Sequence, residues 1–475
     1  MNRPLPQSVA VLAALVAAQA LSAQNAPPNA AHPWDLPANR RLTVPARPNP
    51  AVVPDPATTY TLPELVNLAE QNNPETRVAW ENAKARAADL GVSKATLYPT
   101  IAAIALADTN RTNIFFSPDF IRQTSGVFTP VLALDYTIFD FGRRIDEIAI
   151  SRNSLLAADY LFNNTHRQVI FQVMQAYYRV LNAKGQQDAA EADLNNARTV
   201  REAAEARLQS GLATLPDVLE ARSAEAQADY DLQAAIGATE VAHGDLANSL
   251  GVSPTSQIQV EGIDKLAIPT EIADTVEASI DRALKQRPDL LRQVAELRAA
   301  RAEVKAARSA YLPTLTFDGN AGLAHTYAQQ NQGPGVFSVN QETWDAKLSL
   351  TWNLFDGFAR ESRLARAQAD QKQAAAQVDA TRDEAENQVW AAYSNARTAL
   401  RQQKAAAALL AAATESYDAA LQSYNYGVRS QIDVVSAQRA LAGARTADIT
   451  ARTQLLTGIA TLAYQTGDLL HAQRP

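Results

Sequence analysis

The acidic and histidine residues are the first candidates for chemistry in this chain of 475 residues. Asp383 and Glu386 lie three residues apart in a stretch without glycine or proline, so on a helix their carboxyl groups share one face. Two carboxylates can act as the acid and the base of a hydrolase. Nothing in the sequence holds this pair in a pocket, so the spacing favours a solvated helix face over a catalytic site.

Metal and thiol chemistry find no support in the composition. The absence of cysteine removes disulfides, thiol catalysis and cysteine-rich zinc sites. The histidines are scattered without the spacing of a metal site, at positions 32, 166, 243, 325 and 471. A net charge of −7 with no basic block disfavours nucleic acid as a partner. The sequence therefore predicts no enzyme, no cofactor and no bound metal.

The elements that carry these residues form a tandem repeat. An amphipathic strand, with alternating apolar and polar residues, leads into a proline-free helical run at 131–209 and again at 347–423. Each helix would reach ~100 Å at its usual rise per residue. Equivalent residues keep a nearly constant offset, which is 214 between Pro74 and Pro288 and 216 between Gly211 and Gly427, with the two-residue change falling in the loops between them. We predict that the repeats occupy residues 59–265 and 266–475.

Each long helical run ends at a glycine, which is followed six residues later by Asp-Val. Gly211 and Gly427 suit the left-handed residue that ends a helix. Asp217 and Asp433 then fall in the first turn of the next helix, where a negative charge is stabilising. The N-caps would be Thr214 and Ser430. Both stretches are predicted to be tips of helical hairpins, with return helices of ~34 residues that stop midway along the outgoing ones.

Four amphipathic strands of roughly ten residues are predicted within 100–139 and 314–355, with polar loops at 109–126 and 329–335. Such strands can cross the apolar part of a bilayer, but four cannot close a barrel, and an open sheet would leave unpaired edges in hydrocarbon. The sequence therefore predicts a barrel shared by several copies, and three copies would supply twelve strands. Aromatic residues near the strand ends suit an interfacial girdle: Tyr136, Phe139, Phe141, Trp344, Trp352, Phe355 and Phe358.

The N-terminal residues are predicted to lie outside this repeat. Arg3, an apolar run at 9–18 and small residues up to Ala23 indicate a cleavable secretory signal over 1–23. No cysteine lies near the cleavage site, so no lipid anchor is expected. Residues 24–58 are rich in proline and are predicted to be an extended N-terminal segment.

Three pairs of motifs carry a resemblance to a known family. They are the strand starts at 98–100 and 311–314, the strand ends at 139–142 and 355–358, and the two tips. With the duplication, they make residues 60–469 resemble the TolC-like outer-membrane efflux channels. The resemblance implies a mixed, mostly α fold. Long antiparallel helical hairpins would form a periplasmic α-barrel tunnel, and four strands per chain would enter a trimeric, twelve-stranded transmembrane β-barrel in a Gram-negative outer membrane.

The same resemblance implies a function and partners. The homotrimer would be a passive conduit that exports small molecules such as drugs, with a periplasmic adaptor protein and an inner-membrane transporter as partners and lipid around its barrel. The transporter would choose the cargo, so the outer-membrane component of type I protein secretion is an alternative. A trimeric coiled-coil adhesin is a further alternative, but it needs uninterrupted heptads, whereas this chain reverses at Gly211 and Gly427.

The family closes its tunnel at the hairpin tips, and the resemblance carries that role to named residues. The periplasmic gate would consist of Asp217, Glu220, Tyr424, Arg429 and Asp433. The adaptor would contact the tip turns at Gly211, Leu212, Gly427 and Val428. Ser436 stands where some members have a second aspartate, so the ring of aspartates would hold one carboxylate per chain. Glu220 is the candidate to supply the missing negative charge. A ring of like charges in a narrow pore favours cations. The alternative is that both aspartates only cap helix starts.

Overall fold

The computed structural model describes residues 52–116, 119–272, 274–330 and 336–470. All of them belong to Ala51–Pro475, one of the two compact units into which the chain divides. The other unit, Met1–Pro50, contains the predicted signal and most of the proline-rich segment. It lies outside the described residues, so both remain predictions.

The two repeats contain nearly the same succession of elements. The first comprises β1 (Thr59–Tyr60), α1 (Leu62–Asn72), α2 (Pro74–Ala95), β2 (Thr100–Phe116), β3 (Asp119–Phe139), α3 (Arg143–Gln209) and α4 (Leu215–Ser249). After β4 (Gln259–Val260), the second comprises α5 (Val276–Gln286), α6 (Pro288–Ser309), β5 (Thr314–Gln330), β6 (Val336–Thr351), α7 (Ala359–Asn425) and α8 (Gln431–Thr466). The predicted long helices are confirmed, because α3 and α7 have 67 residues each.

The helices pack side by side in an order that their lengths impose. Near the strands, α3 packs between α2 and α6, and α6 also contacts α7. Near the tips, α3 packs between α4 and α8, and α8 also contacts α7. With 35 and 36 residues, α4 and α8 end midway along α3 and α7, as predicted. The layer therefore reads α2–α3–α6–α7 in one half and α4–α3–α8–α7 in the other.

The main apolar core lies at the middle of α3, where the shorter helices end. Val173, Tyr177 and Val180 of α3 are fully buried there. They belong to one cluster with Leu65 of α1 and Leu246 of α4. The short strand β4 pairs in parallel with β1 beside this core. Elsewhere the buried residues of α3 and α7 are mostly alanine, which lets neighbouring helices approach closely.

The strands pair in the antiparallel order β2-β3-β5-β6 and are longer than predicted. They contain 16 to 21 residues, so the predicted loop at 109–126 is wrong: β2 continues to Phe116 and β3 begins at Asp119. Within residues 109–126 the alternation of apolar and polar residues stops. Backbone pairing does not need this alternation, because polar partners face each other across the strands. Asn110 accepts a hydrogen bond from Ser125 (2.7 Å), for example.

The last strand begins directly after the predicted loop, at Val336, and ends at Thr351 rather than near 355. Trp344 therefore lies in its interior, opposite Ala321, and not near a strand end. The predicted position of Trp344 near a strand end is therefore wrong. The other aromatics do gather where strands meet long helices: the ring centroids of Phe139 and Phe141 are 4.7 Å apart, and those of Phe355 and Phe358 are 5.5 Å apart.

The strand-to-helix turns explain the repeated aromatic-aspartate motif. Asp140 accepts hydrogen bonds from the backbone N–H and the guanidinium of Arg144, at 3.0 and 2.9 Å. Asp356 accepts one from the Arg360 backbone N–H at 3.1 Å. Each aspartate therefore satisfies a free N–H in the first turn of a long helix and fixes the direction in which the helix leaves its strand.

No helix in the described ranges has the length and apolar character needed to cross a membrane.

A buried ionic cluster joins the two repeats beside the main core. The Arg167 side chain of α3 is 1% exposed, lies 3.6 Å from the Asp289 carboxylate and stacks over the Tyr464 ring. Arg287 donates two hydrogen bonds to the same carboxylate, at 3.1 and 2.6 Å. Burial opposes ionisation of Asp289, but the hydrogen bonds and charge of Arg287 and the charge of Arg167 outweigh it and hold its pKa below the usual value.

We expect Asp289→Asn to lower the free energy of unfolding by about 3 kcal/mol at neutral pH, since it leaves two buried arginines without a counterion. The depressed pKa means that the carboxylate stabilises the folded chain above the unfolded pKa of about 4, and that this stabilisation is lost on acidification through the folded pKa. The deficit should therefore shrink towards pH 3. Urea unfolding in detergent, followed by circular dichroism, measures it.

Asp245→Asn is the matched control, because Asp245 pairs with Arg179 where both side chains are about half exposed. Such a pair contributes less than about 1 kcal/mol. If both variants unfolded like the wild type, the cluster would not hold the repeats together.

Candidate functional site

The two hairpin tips have the same backbone structure. Gly211 and Gly427 adopt φ angles of +72° and +75°, so the predicted left-handed helix stops are confirmed. In the first tip the Leu212 N–H donates to the Arg207 carbonyl at 2.8 Å; in the second the Val428 N–H donates to the Ser423 carbonyl at 2.9 Å. These bonds satisfy carbonyls that the helix ends leave free. Leu212 and Val428 are consequently held outward, 72% and 79% exposed.

Both predicted aspartates form capping boxes at the start of the return helices. One carboxylate oxygen of Asp217 accepts hydrogen bonds from the Thr214 hydroxyl (2.7 Å) and backbone N–H (2.8 Å). Asp433 accepts the same pair from Ser430, at 2.8 and 3.0 Å. These hydrogen bonds lower the pKa of both carboxyl groups, so both are charged at neutral pH. Within one chain, both aspartates act as helix-capping residues.

The remaining gate candidates lie in different surroundings. Tyr424 is buried in an apolar cluster with Val434 and Leu441. Arg429 is exposed, and its charge helps to lower the pKa of Asp433. No ion pair within 4 Å joins Arg429 or the half-buried Glu220 to another residue of the described chain. The structure therefore places these residues on the same two tips without bringing Tyr424 and Arg429 together.

Arg207 is the tip residue that sequence reasoning missed. Its guanidinium donates to the Tyr424 carbonyl at 2.6 Å and stacks 4.3 Å from the centre of the Tyr424 ring. A basic residue in the last turn of α3 was visible in the sequence as a helix-end signal. Its contact with α7 was not visible, because the equivalent second-repeat position is Ser423, so the duplication gives no hint of it.

The two hairpins are held together by different combinations of ion pairs and apolar contacts. In the first, Arg201 pairs with Glu225 at 2.6 Å and Glu205 pairs with Arg222 at 2.8 Å, and these ion pairs link α3 to α4. In the second, Tyr424, Val434 and Leu441 bury an apolar contact between α7 and α8. Ala204 of α3 also packs with Val218 and Ala221 of α4, so the first hairpin combines its ion pairs with a smaller apolar contact.

The other chemical candidates do not form a site. Asp383 is exposed on α7, and Glu386 is half-buried on the same helix. Within the part of the chain that the structure describes, no three histidine or acidic side chains are grouped so that they could hold a metal ion.

We expect Asp433→Ala to loosen the first turn of α8, because it removes the acceptor of the capping box. Asp433→Gln should leave that turn intact, since glutamine fills the same position in capping boxes. Hydrogen–deuterium exchange of residues 428–436 measures the difference, with faster exchange expected for the alanine variant alone. Wild-type exchange in both variants would show that the helix start does not need Asp433.

Comparison with known proteins agrees with this architecture. The family model for outer membrane efflux proteins matches residues 65–252 and 279–468. CyaE of Bordetella pertussis is 31% identical over 343 residues, covering 72% of this chain and 70% of that protein. The probable efflux pump outer membrane protein TtgC of Pseudomonas putida is 24% identical, covering 84% and 82%. A crystal structure of a Pseudomonas aeruginosa membrane protein, 23% identical, superposes with a TM-score of 0.76 over 89% of this chain and 99% of that one. The chain belongs to the outer membrane efflux protein family.

Proposed function

We propose that three copies of this chain form the outer-membrane conduit of a tripartite efflux system. The conduit carries out no chemistry and exports small molecules that an inner-membrane transporter delivers. The observation that supports this most strongly is the four-stranded sheet, because it has one apolar face and, within the described chain, two unpaired edges.

The two faces of the sheet differ in polarity. Tyr136, Phe317 and Leu348 form one row across β3, β5 and β6. In the adjacent row, Asp135, Asp318 and Lys347 are partners on the same strands. Because successive side chains of a strand point to opposite faces, the apolar row suits lipid and the charged row suits a water-filled interior.

The edges of the sheet require neighbouring copies. Within the described ranges, β2 pairs only with β3, and β6 pairs only with β5. Unpaired backbone groups on these edges would each be left without a partner in hydrocarbon. Pairing β2 of one copy with β6 of the next removes the edges. Two copies would give a barrel of about eight strands, and side chains would fill its interior. Three copies would give twelve strands and leave a passage.

The helices point to the same assembly. The outer members of the helical layer carry large apolar side chains that nothing in the described chain covers: Val78 and Val92 of α2, Tyr230 and Val241 of α4, and Trp390 and Leu409 of α7, all more than half exposed. Adjacent copies would bury them by placing α2 and α4 of one copy beside α7 of the next. The hairpin tips would then converge at the periplasmic end, where Leu212 and Val428 are exposed for a periplasmic adaptor.

Planar-bilayer recordings test the proposed conduit. We expect the purified wild-type protein to give discrete ion conductance that favours cations, since three copies would bring Asp433 together at the tips. Asp433→Gln preserves the capping box but removes this charge, so it should lower the ratio of cation to anion permeability.

Asp383→Asn is the control, because it removes an acidic group that lies on α7 away from the tips. It should leave the selectivity unchanged. A wild-type protein that never conducts would contradict the conduit, and an unaltered permeability ratio in Asp433→Gln would remove that aspartate from the pore.

A further inference from the structure

We infer that Arg207 is the positioning residue that latches the second-repeat tip to the first and so sets the closed state of the channel. The inference rests on the proposed function, since it assumes that the tips form the end that closes. It adds a contact between the two repeats of one copy to the gate residues proposed above.

The contact joins α3 directly to α7 near the tips, where the two helices otherwise meet in the apolar cluster around Val200, Tyr417 and Val434. Along the tip half of the layer, α8 lies between α3 and α7. Arg207, in the last turn of α3, reaches past it to the last turn of α7, where it meets the Tyr424 carbonyl and ring. One side chain therefore ties the end of the first outgoing helix to the end of the second.

The chemistry of the contact makes it specific for this arrangement. The Tyr424 carbonyl lies at the C-terminal end of α7, where the helix dipole and the free carbonyls favour a cation. The aromatic ring beneath the guanidinium adds a cation–π interaction. No carboxylate of the described residues lies within 4 Å of Arg207, so its charge is balanced mainly by the α7 end. Moving α7 away would break all of these interactions together.

The contact occurs in only one of the two possible directions between the repeats, as expected for a latch and not for packing that the duplication repeats. The positions equivalent to Arg207 and Tyr424 in the opposite repeats are Ser423 and Leu208, which cannot form the same contact. Each copy therefore has one latch. The Tyr424 hydroxyl makes no hydrogen bond within the described chain, so the ring and the carbonyl, not the hydroxyl, hold Arg207.

Arg207→Gln should shift the balance between closed and open channels about tenfold towards the open state, because it removes both the charge-assisted hydrogen bond and the cation–π contact. Single-channel recordings in planar bilayers measure the open fraction. Arg207→Lys, which keeps the charge but not the planar group, should give an intermediate shift. It also serves as the test variant if Arg207→Gln does not assemble.

Two variants separate a latch from a general weakening of the tip. Tyr424→Leu removes the ring beneath the guanidinium, so it should open the channel as Arg207→Gln does. The double variant Arg207→Gln with Tyr424→Leu should open it no further than either change alone. Arg201→Gln, which removes ion pairs of the first hairpin, should leave the open fraction unchanged.

The outcomes distinguish this inference from the proposed function. If the wild type conducts but Arg207→Gln and Arg207→Lys keep its open fraction, the latch is wrong and the conduit stands. The latch is equally wrong if the double variant opens the channel by the sum of the two single changes. If the wild type never conducts, the conduit itself fails, and the latch fails with it.

Discussion

The need to pair every backbone group at the edges of the sheet governs the rest of this structure. The four strands of one chain have an apolar face on one side and charged residues on the other, and β2 and β6 each lack one neighbour in the described chain. In an outer-membrane protein such edges have no water to bond with. On our proposal, closure by further copies satisfies them, and the helices that continue from the strands are thereby drawn into one wall.

The contacts of α3 differ between its middle and its end near the tips. Its middle carries the main apolar core and the Arg167 cluster, which connect the two repeats rigidly. Its end near the tips carries smaller apolar clusters, half-buried ion pairs and the Arg207 contact. Such weak, separable interactions are what a closable end needs, because each tip must move without unfolding the helix behind it. The proposed gate therefore lies away from the main apolar core.

Local signals predicted much of the fold and of the site. Helix ends depend on caps and on left-handed glycines within a few residues, so the bounds of α3 and the conformations of Gly211 and Asp217 followed from the sequence. The strand lengths did not, because β2 continues through polar residues that backbone pairing tolerates, whereas apolar alternation marks only part of each strand. The position of Trp344 within β6 was misjudged for the same reason. Arg207 was missed because its partner lies 217 residues away in another repeat.

Disulfide trapping between copies tests the shared wall most directly, because the chain has no cysteine of its own. Ala102→Cys on β2 would be combined in turn with Thr343→Cys, Asp345→Cys and Lys347→Cys on β6, and each pair oxidised in membranes. Our account predicts that one pair yields a ladder of covalent species that ends at three copies and collapses on reduction, while the single variants yield none. Monomers alone from every pair, or a ladder that continues beyond three copies, would contradict it.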